Sequence, residues 1–181
     1  MDNIKAAEVL ENADLLHSAE EIENALDSMA EKINQALADK DPLVYCVMNG
    51  GVIPTGMLLP RLTFPFKLDY LHATRYREKT TGDELHWLKT SETDMRGRQV
   101  LIVDDILDEG YTLKAIVEYC RQQDAASVFT AVLAEKKHGR GSGFQADFVG
   151  LTVADRYLFG MGMDYKGYLR QLPAIYAVKG L

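Results

Sequence analysis

Residues 100–112 read VLIVDDILDEGYT, an apolar run that turns abruptly polar. Val100, Leu101, Ile102 and Val103 are four consecutive apolar residues, three of them β-branched, as in a fully buried strand. After the polar turn, Leu113, Ile116, Val117 and Cys120 recur at helical spacing and mark an amphipathic helix. A buried strand that hands over to a helix through a short polar turn is the repeating unit of a parallel sheet covered on both faces. Ligands of such sheets sit at the carboxyl ends of the strands, which is where this stretch becomes polar.

The same alternation extends outward in both directions. Ser18 followed by Glu21 has capping-box form, and Ile22, Leu26, Met29, Ile33 and Leu37 then predict about five turns of amphipathic helix ending before Asp41-Pro42. Residues 43–48 (LVYCVM) predict a buried strand, followed by Asn49-Gly50-Gly51 and a short helix through Met57 and Leu59. Phe64, Phe66, Leu68 and Tyr70 alternate with other residues and predict a half-buried strand with these four on the inner face. The polar residues 73–86 read as a loop or loose hairpin. Residues 127–134, 148–153 and 175–178 predict further strands, and 139–143 (GRGSG) a loop. The expected fold is α/β: a mostly parallel, Rossmann-like sheet flanked by helices, in a single domain. Its core covers about 43–155, and a small hood comes from the N- and C-terminal segments, about 1–40 and 156–181.

The turn carries its own chemistry. Free backbone N–H groups at a helix N-terminus bind phosphate; Gly110 lets the chain approach closely and Thr112 adds a hydroxyl. Asp104 and Asp105 are paired acceptors suited to a vicinal diol or to magnesium beside it. Asp108 lies between these two regions, where a carboxylate can exchange a proton with a heterocyclic base. Receiver domains also place an acidic pair after an apolar strand, but after their first strand, and here too little chain follows. A Walker B strand needs a G-x-x-x-x-G-K-[ST] loop, which does not occur.

The bulk properties narrow the function. The chain has 181 residues, 47% of them hydrophobic, enough for a real core. Its formal charge of -7 disfavours non-specific binding to nucleic acid or anionic membrane. Cys46 and Cys120 sit in apolar contexts and read as buried free thiols. His17, His72, His86 and His138 share no metal-ligand spacing, so no zinc site is expected. The acidic N-terminus lacks an apolar signal core, and no apolar run is long enough to span a membrane, so the cytoplasm is the expected location.

VLIVDDILDEGYTL resembles the phosphoribosyl-pyrophosphate motif of type I phosphoribosyltransferases. Dispersed matches between about Leu43 and Arg170 resemble their hypoxanthine-guanine branch. Met48-Asn49-Gly50-Gly51 is similar to the loop that binds pyrophosphate through backbone groups, often with a cis peptide; the usual Lys is here Asn49. Arg75-Tyr76 with Thr81-Gly82-Asp83 resembles the lid, with Arg75 in place of the usual Ser. Lys136 matches the lysine that contacts the purine 6-oxo group. Asp155-Arg156-Tyr157-Leu158 and Gly162-Met163-Asp164-Tyr165 resemble the base-binding segment.

The resemblance implies a set of roles. Asp108 is the catalytic acid–base group, and Asp104 and Asp105 hold the ribose diol. Asp108, Glu109, Gly110, Tyr111 and Thr112 hold the 5-phosphate, although Glu109 stands where many members carry Thr. Asn49, Gly50 and Arg170 bind pyrophosphate. Lys136, Tyr157, Leu158 and Asp164 bind the purine, and Asp105 and Asp164 support Mg2+. The implied partners are phosphoribosyl pyrophosphate and a 6-oxopurine, without nucleic acid or membrane, in a homodimer or homotetramer. Xanthine is an alternative base, and an RNA-binding nucleotide sensor on the same fold is an alternative class.

Overall fold

The structure, a computed structural model, describes residues 2–75 and 85–180. In chain order the elements are α1 (Asp2–Glu11), β1 (Asp14–His17), α2 (Ala19–Leu37), β2 (Leu43–Met48), α3 (Val52–Leu58, continued by a 3-10 turn over Leu59–Arg61), β3 (Lys67–Arg75), β4 (Leu85–Lys89), β5 (Gln99–Leu107), α4 (Tyr111–Gln122), β6 (Ser127–Lys136), β7 (Phe148–Val153), β8 (Leu158–Phe159) and β9 (Ile175–Ala177). Among the described residues no helix is long and apolar enough to cross a membrane.

Six strands form the main sheet in the order β4-β3-β2-β5-β6-β7. All neighbours are parallel except the edge pair β3-β4. β5 is central, and Val100, Leu101, Ile102 and Val103 are buried on both faces, which is why they read as a continuous apolar run rather than an alternating one. On one face α2 packs Ile22, Leu26, Met29, Ile33 and Leu37 against Val44, Leu101, Val103 and Leu133. Ser18 and Glu21 close the capping box that starts this helix. On the other face Leu113, Ile116, Val117 and Cys120 of α4 meet Tyr45, Val47, Val100 and Ile102. Burial pushes the Cys120 thiol up to about 12, so this cysteine is an inert packing residue.

A second sheet, β1-β9-β8, joins the two ends of the chain. Behind it Ala6, Phe159, Leu169 and Val178 form a separate apolar cluster. Thus β1, β8 and β9, with α1 behind them, make a small hood next to the main sheet, whereas α2, expected in the hood as part of residues 1–40, packs on a face of the main sheet.

Two further expectations need correction. β5 is nine residues long rather than four: Asp104 pairs with Val132 and Leu107 with Glu135 on the β6 side, whereas pairing to β2 stops at Val103. The acidic pair therefore lies inside the strand, where one flank has lost its partner. β3 begins only at Lys67, after Phe64 and Phe66, and Leu68 and Tyr70 are 54% and 45% exposed. They line an open groove beside α3, and Leu71 and Ala73 are the buried residues of this strand instead. Of the two readings of 73–86, the hairpin is the one found: β3 runs through Arg75 and β4 returns antiparallel from Leu85.

Candidate functional site

β5 supplies the centre of the site. Because the β2 ladder ends early, the loop after β2 folds over the exposed flank of Asp104 and Asp105. The Met48–Asn49 peptide bond is cis, and the Gly51 amide donates to the Val47 carbonyl at 2.8 Å. A Cβ at Gly50 would overlap the Asp105 carboxylate, so only glycine allows this approach. The Asp104 Oδ1 accepts from the Asp105 amide at 2.9 Å and the Asp105 Oδ1 from the Ile106 amide at 2.8 Å.

Burial pushes both carboxyls up. Asp104 lies well above the usual carboxylate range, because the negative charge of Asp105 adds to its burial. For Asp105, hydrogen bonds from Asp104 and the Ile106 amide and the charge of Arg170 act against burial without cancelling it. Two buried, mutually repelling carboxyls are an environment that a divalent cation relieves, and oxygen donors of this kind suit magnesium.

This pair makes a prediction about stability. The folded state holds protons at a pH where the unfolded chain has released them, so stability falls as pH rises through that window and stays lower above it. Asp104→Asn is expected to remove much of this cost. A gain of about 0.5–2 kcal/mol corresponds to a rise of about 1–8 °C in the ligand-free Tm at pH 7.5, with a shallower decline as pH rises above the ordinary carboxylate range. Calorimetry across that range checks it; a lower Tm with an unchanged slope would contradict it.

The turn after β5 has the geometry of a phosphate cradle. Gly110 adopts a left-handed conformation (φ 77°) as the cap of α4, and the Lys114 amide closes the first turn on the Gly110 carbonyl at 3.0 Å. The amides of Thr112 and Leu113 precede the first helical hydrogen bond, at the end of a helix where anions bind.

Asp108 is gripped at both oxygens. The Lys136 ammonium, at the last residue of β6, donates to Oδ2 at 2.8 Å, and the His138 Nε2 lies 2.7 Å from Oδ1. Burial pushes the Asp108 carboxyl up, but these two contacts outweigh it and hold it below the usual range. Lys136 is only 12% exposed and lies 3.9 Å from Asp155 as well.

The hood closes the other side. The Arg170 guanidinium bridges Asp164 Oδ1 at 2.7 Å and the Gly162 carbonyl at 2.6 Å, and Asp164 Oδ2 accepts from the Gly167 amide at 2.6 Å. Tyr157 is half-exposed, with its ring centroid 5.6 Å from that of Tyr165. Between sheet and hood lies a cavity of about 460 Å³ lined by Asp105, Ile106, Asp108, Lys136, Tyr157, Leu158, Met163 and Asp164.

Of the residues expected from sequence, Asp105, Asp108, Lys136, Tyr157, Leu158 and Asp164 thus meet in one cavity. Gly50 touches it through Asp105, and Arg170 through Asp164. Asp104 lies beside it on β5, and Asn49 is placed by the loop. Glu109, Gly110, Tyr111 and Thr112 form the adjoining turn. In the expected lid, Tyr76 and residues 81–83 lie outside the described residues, as does the Arg75 side chain. Sequence reasoning missed Ile106 and His138; His138 is 30 residues from Asp108, and no local pattern signals that contact.

A phosphoribosyl transferase domain model matches residues 12–166. The hypoxanthine-guanine phosphoribosyltransferase of Bacillus subtilis is 31% identical over 166 residues, covering 91% of this chain and 92% of the relative. The hypoxanthine-guanine-xanthine phosphoribosyltransferase of Tritrichomonas foetus is 29% identical over 91% of both chains. A hypoxanthine phosphoribosyltransferase structure from Staphylococcus aureus superimposes with a TM-score of 0.88 at 24% identity, covering 93% of each chain. A motif strand, a cis-peptide loop and a hooded cavity are thus joined by sequence similarity along nearly the whole length, and the chain belongs to the phosphoribosyl transferase domain family.

Proposed function

We propose that this protein is a purine salvage enzyme that transfers ribose-5-phosphate from phosphoribosyl pyrophosphate to N9 of hypoxanthine or guanine. The observation that carries the reading is the single cavity in which Asp105, Asp108, Lys136, Tyr157, Leu158 and Asp164 converge. N9 forms a bond to the ribose C1′ as the bond from C1′ to pyrophosphate breaks, and the N7 proton passes to Asp108. Lys136 donates to the 6-oxo group, Tyr157 stacks on the purine and Leu158 presents backbone groups to its edge. The α4 N-terminus, from Asp108 and Glu109 through Gly110, Tyr111 and Thr112, holds the 5-phosphate. Asp104 and Asp105 hold the ribose diol, and Asn49, Gly50 and Arg170 the pyrophosphate. Arg75 and Tyr76 act as a lid that keeps water from the oxocarbenium-like ribose.

Asp105 and Asp164 would hold Mg2+, which when bound would offset the negative charge of the leaving pyrophosphate. Removal of divalent cations with a chelator is expected to abolish turnover, with recovery on adding magnesium. Xanthine also carries a 6-oxo group, so Lys136 does not discriminate against it, and one relative is named for all three bases.

Chromatography of a reaction containing phosphoribosyl pyrophosphate, magnesium and hypoxanthine tests the reading, with IMP and pyrophosphate as the expected products. Absence of any nucleotide product with every purine, together with RNA binding at physiological salt, would reverse it in favour of a nucleotide-sensing regulator.

The protein works in the cytoplasm as one catalytic domain, self-associated as a homodimer or homotetramer. Support for self-association comes from the apolar face of Val52, Leu68 and Tyr70, which borders a groove of about 530 Å³ between α3 and β3; exposed apolar patches of this kind mark protein contacts. Sedimentation is expected to show a species larger than the 20.3 kDa chain, and a monomer at that mass would contradict it.

A further inference from the structure

The loop at 138–143 folds back from the end of β6 over the turn that carries Asp108. The His138 side chain is 7% exposed, with its Nε2 2.7 Å from Asp108 Oδ1. The Arg140 backbone amide lies 3.2 Å from His138 Nδ1. An amide N–H only donates, so Nδ1 is the acceptor and the ring proton sits on Nε2, which therefore donates to Asp108. The Ser142 amide and hydroxyl both donate to the Glu109 carbonyl, at 2.8 and 3.1 Å. Arg140 is anchored in turn on Asp155 at 2.8 Å. Both residues at the apex of the turn are thus held from behind by one loop. Asp108, His138 and Asp155 lie close enough for a metal, but the Lys136 ammonium is already 2.8 Å and 3.9 Å from the two carboxylates and supplies the positive charge there.

The two donors on Asp108 have different freedom. Lys136 is a flexible chain that can turn to a substrate carbonyl, whereas the His138 ring is buried and fixed at its far nitrogen. We propose that His138 is a positioning residue: a tautomer-locked donor that holds Asp108 by Oδ1, so that Oδ2 stays aimed at the purine N7 when Lys136 leaves it for the 6-oxo group. This rests on the reading of Asp108 as the proton-transfer group.

A double-mutant cycle separates the two. His138→Leu is expected to lower kcat by about 10- to 100-fold, the range of a hydrogen bond to a charged group, with the KM for phosphoribosyl pyrophosphate little changed. His138→Gln, which keeps an N–H near the Nε2 position, recovers most of the loss. In an Asp108→Asn background, His138→Leu should cost less than about twofold, because the residues act as a unit. Equal losses in both backgrounds would overturn the proposal and leave Asp108 standing. Near-normal turnover by Asp108→Asn alone would remove the reading and the proposal with it. Independently of how the variants fold, 15N NMR of the native protein should show His138 protonated at Nε2; a proton at Nδ1 alone would also overturn it.

Discussion

Asp108→Asn is expected to lower kcat by about 100- to 10,000-fold, the range for loss of a positioned general acid or base, with the protein still folded. Asp108 sits on the turn after β5 and is 40% exposed on its side chain, so its replacement opens no core cavity. An amide of the same shape keeps one oxygen to accept from His138 or Lys136, but cannot take the N7 proton. The loss should fall on kcat more than on the KM for phosphoribosyl pyrophosphate, because diol and phosphate are held by other groups. Single-turnover kinetics with hypoxanthine checks it, and near-normal rates would remove Asp108 from the chemistry.

Lys136→Met is expected to lower kcat/KM for hypoxanthine and guanine by about 100-fold, because the 6-oxo group enters the cavity without its charged donor. Activity on adenine, which has no carbonyl there, should fall far less, narrowing the preference between bases. The same change releases Asp108 from its strongest partner. Lys136 helps to hold that carboxyl low, so its removal raises it, and the acid limb of the kcat/KM profile should move to higher pH. Equal losses on all bases with an unmoved acid limb would show Lys136 to be a structural cation only.

The β5–α4 unit was legible in the sequence because both of its signals are local. A buried parallel strand is apolar throughout, and a helix packed on one face repeats at three and four residues, so Val100 to Cys120 spells its own structure. The true length of β5 was not legible. Asp104, Asp105 and Asp108 look like a loop, yet the first two lie inside the strand, with Asp104 paired to β6, and are open on the other flank because the β2 pairing stops at Cys46 and Val103 although β2 itself runs on to Met48. Leu68 and Tyr70 misled for a related reason. Alternation identifies two faces of a strand, but which face is covered depends on what packs over it from elsewhere in the chain. LHWLK was hidden in a polar surround, since an antiparallel edge strand of five residues has little of its own to announce it.

Within the site, the residues found from sequence belong to contiguous motifs or stand at fixed places beside them, as Lys136 does at the end of its strand. Those missed act across the fold. His138 has no motif, and its meaning comes from the Arg140 amide that fixes its ring and the turn, distant in sequence, that it meets. The lock on Asp108 therefore emerges only when β5 and β6 are laid side by side.

Discrimination at the purine 6-position is what a cavity built for a 6-oxopurine acceptor must show. Its most direct test is the spectrophotometric measurement of kcat/KM with phosphoribosyl pyrophosphate and magnesium, offering hypoxanthine, guanine, xanthine and adenine separately. The predicted result is turnover of hypoxanthine or guanine at least about 100-fold above adenine; turnover of adenine alone would contradict it.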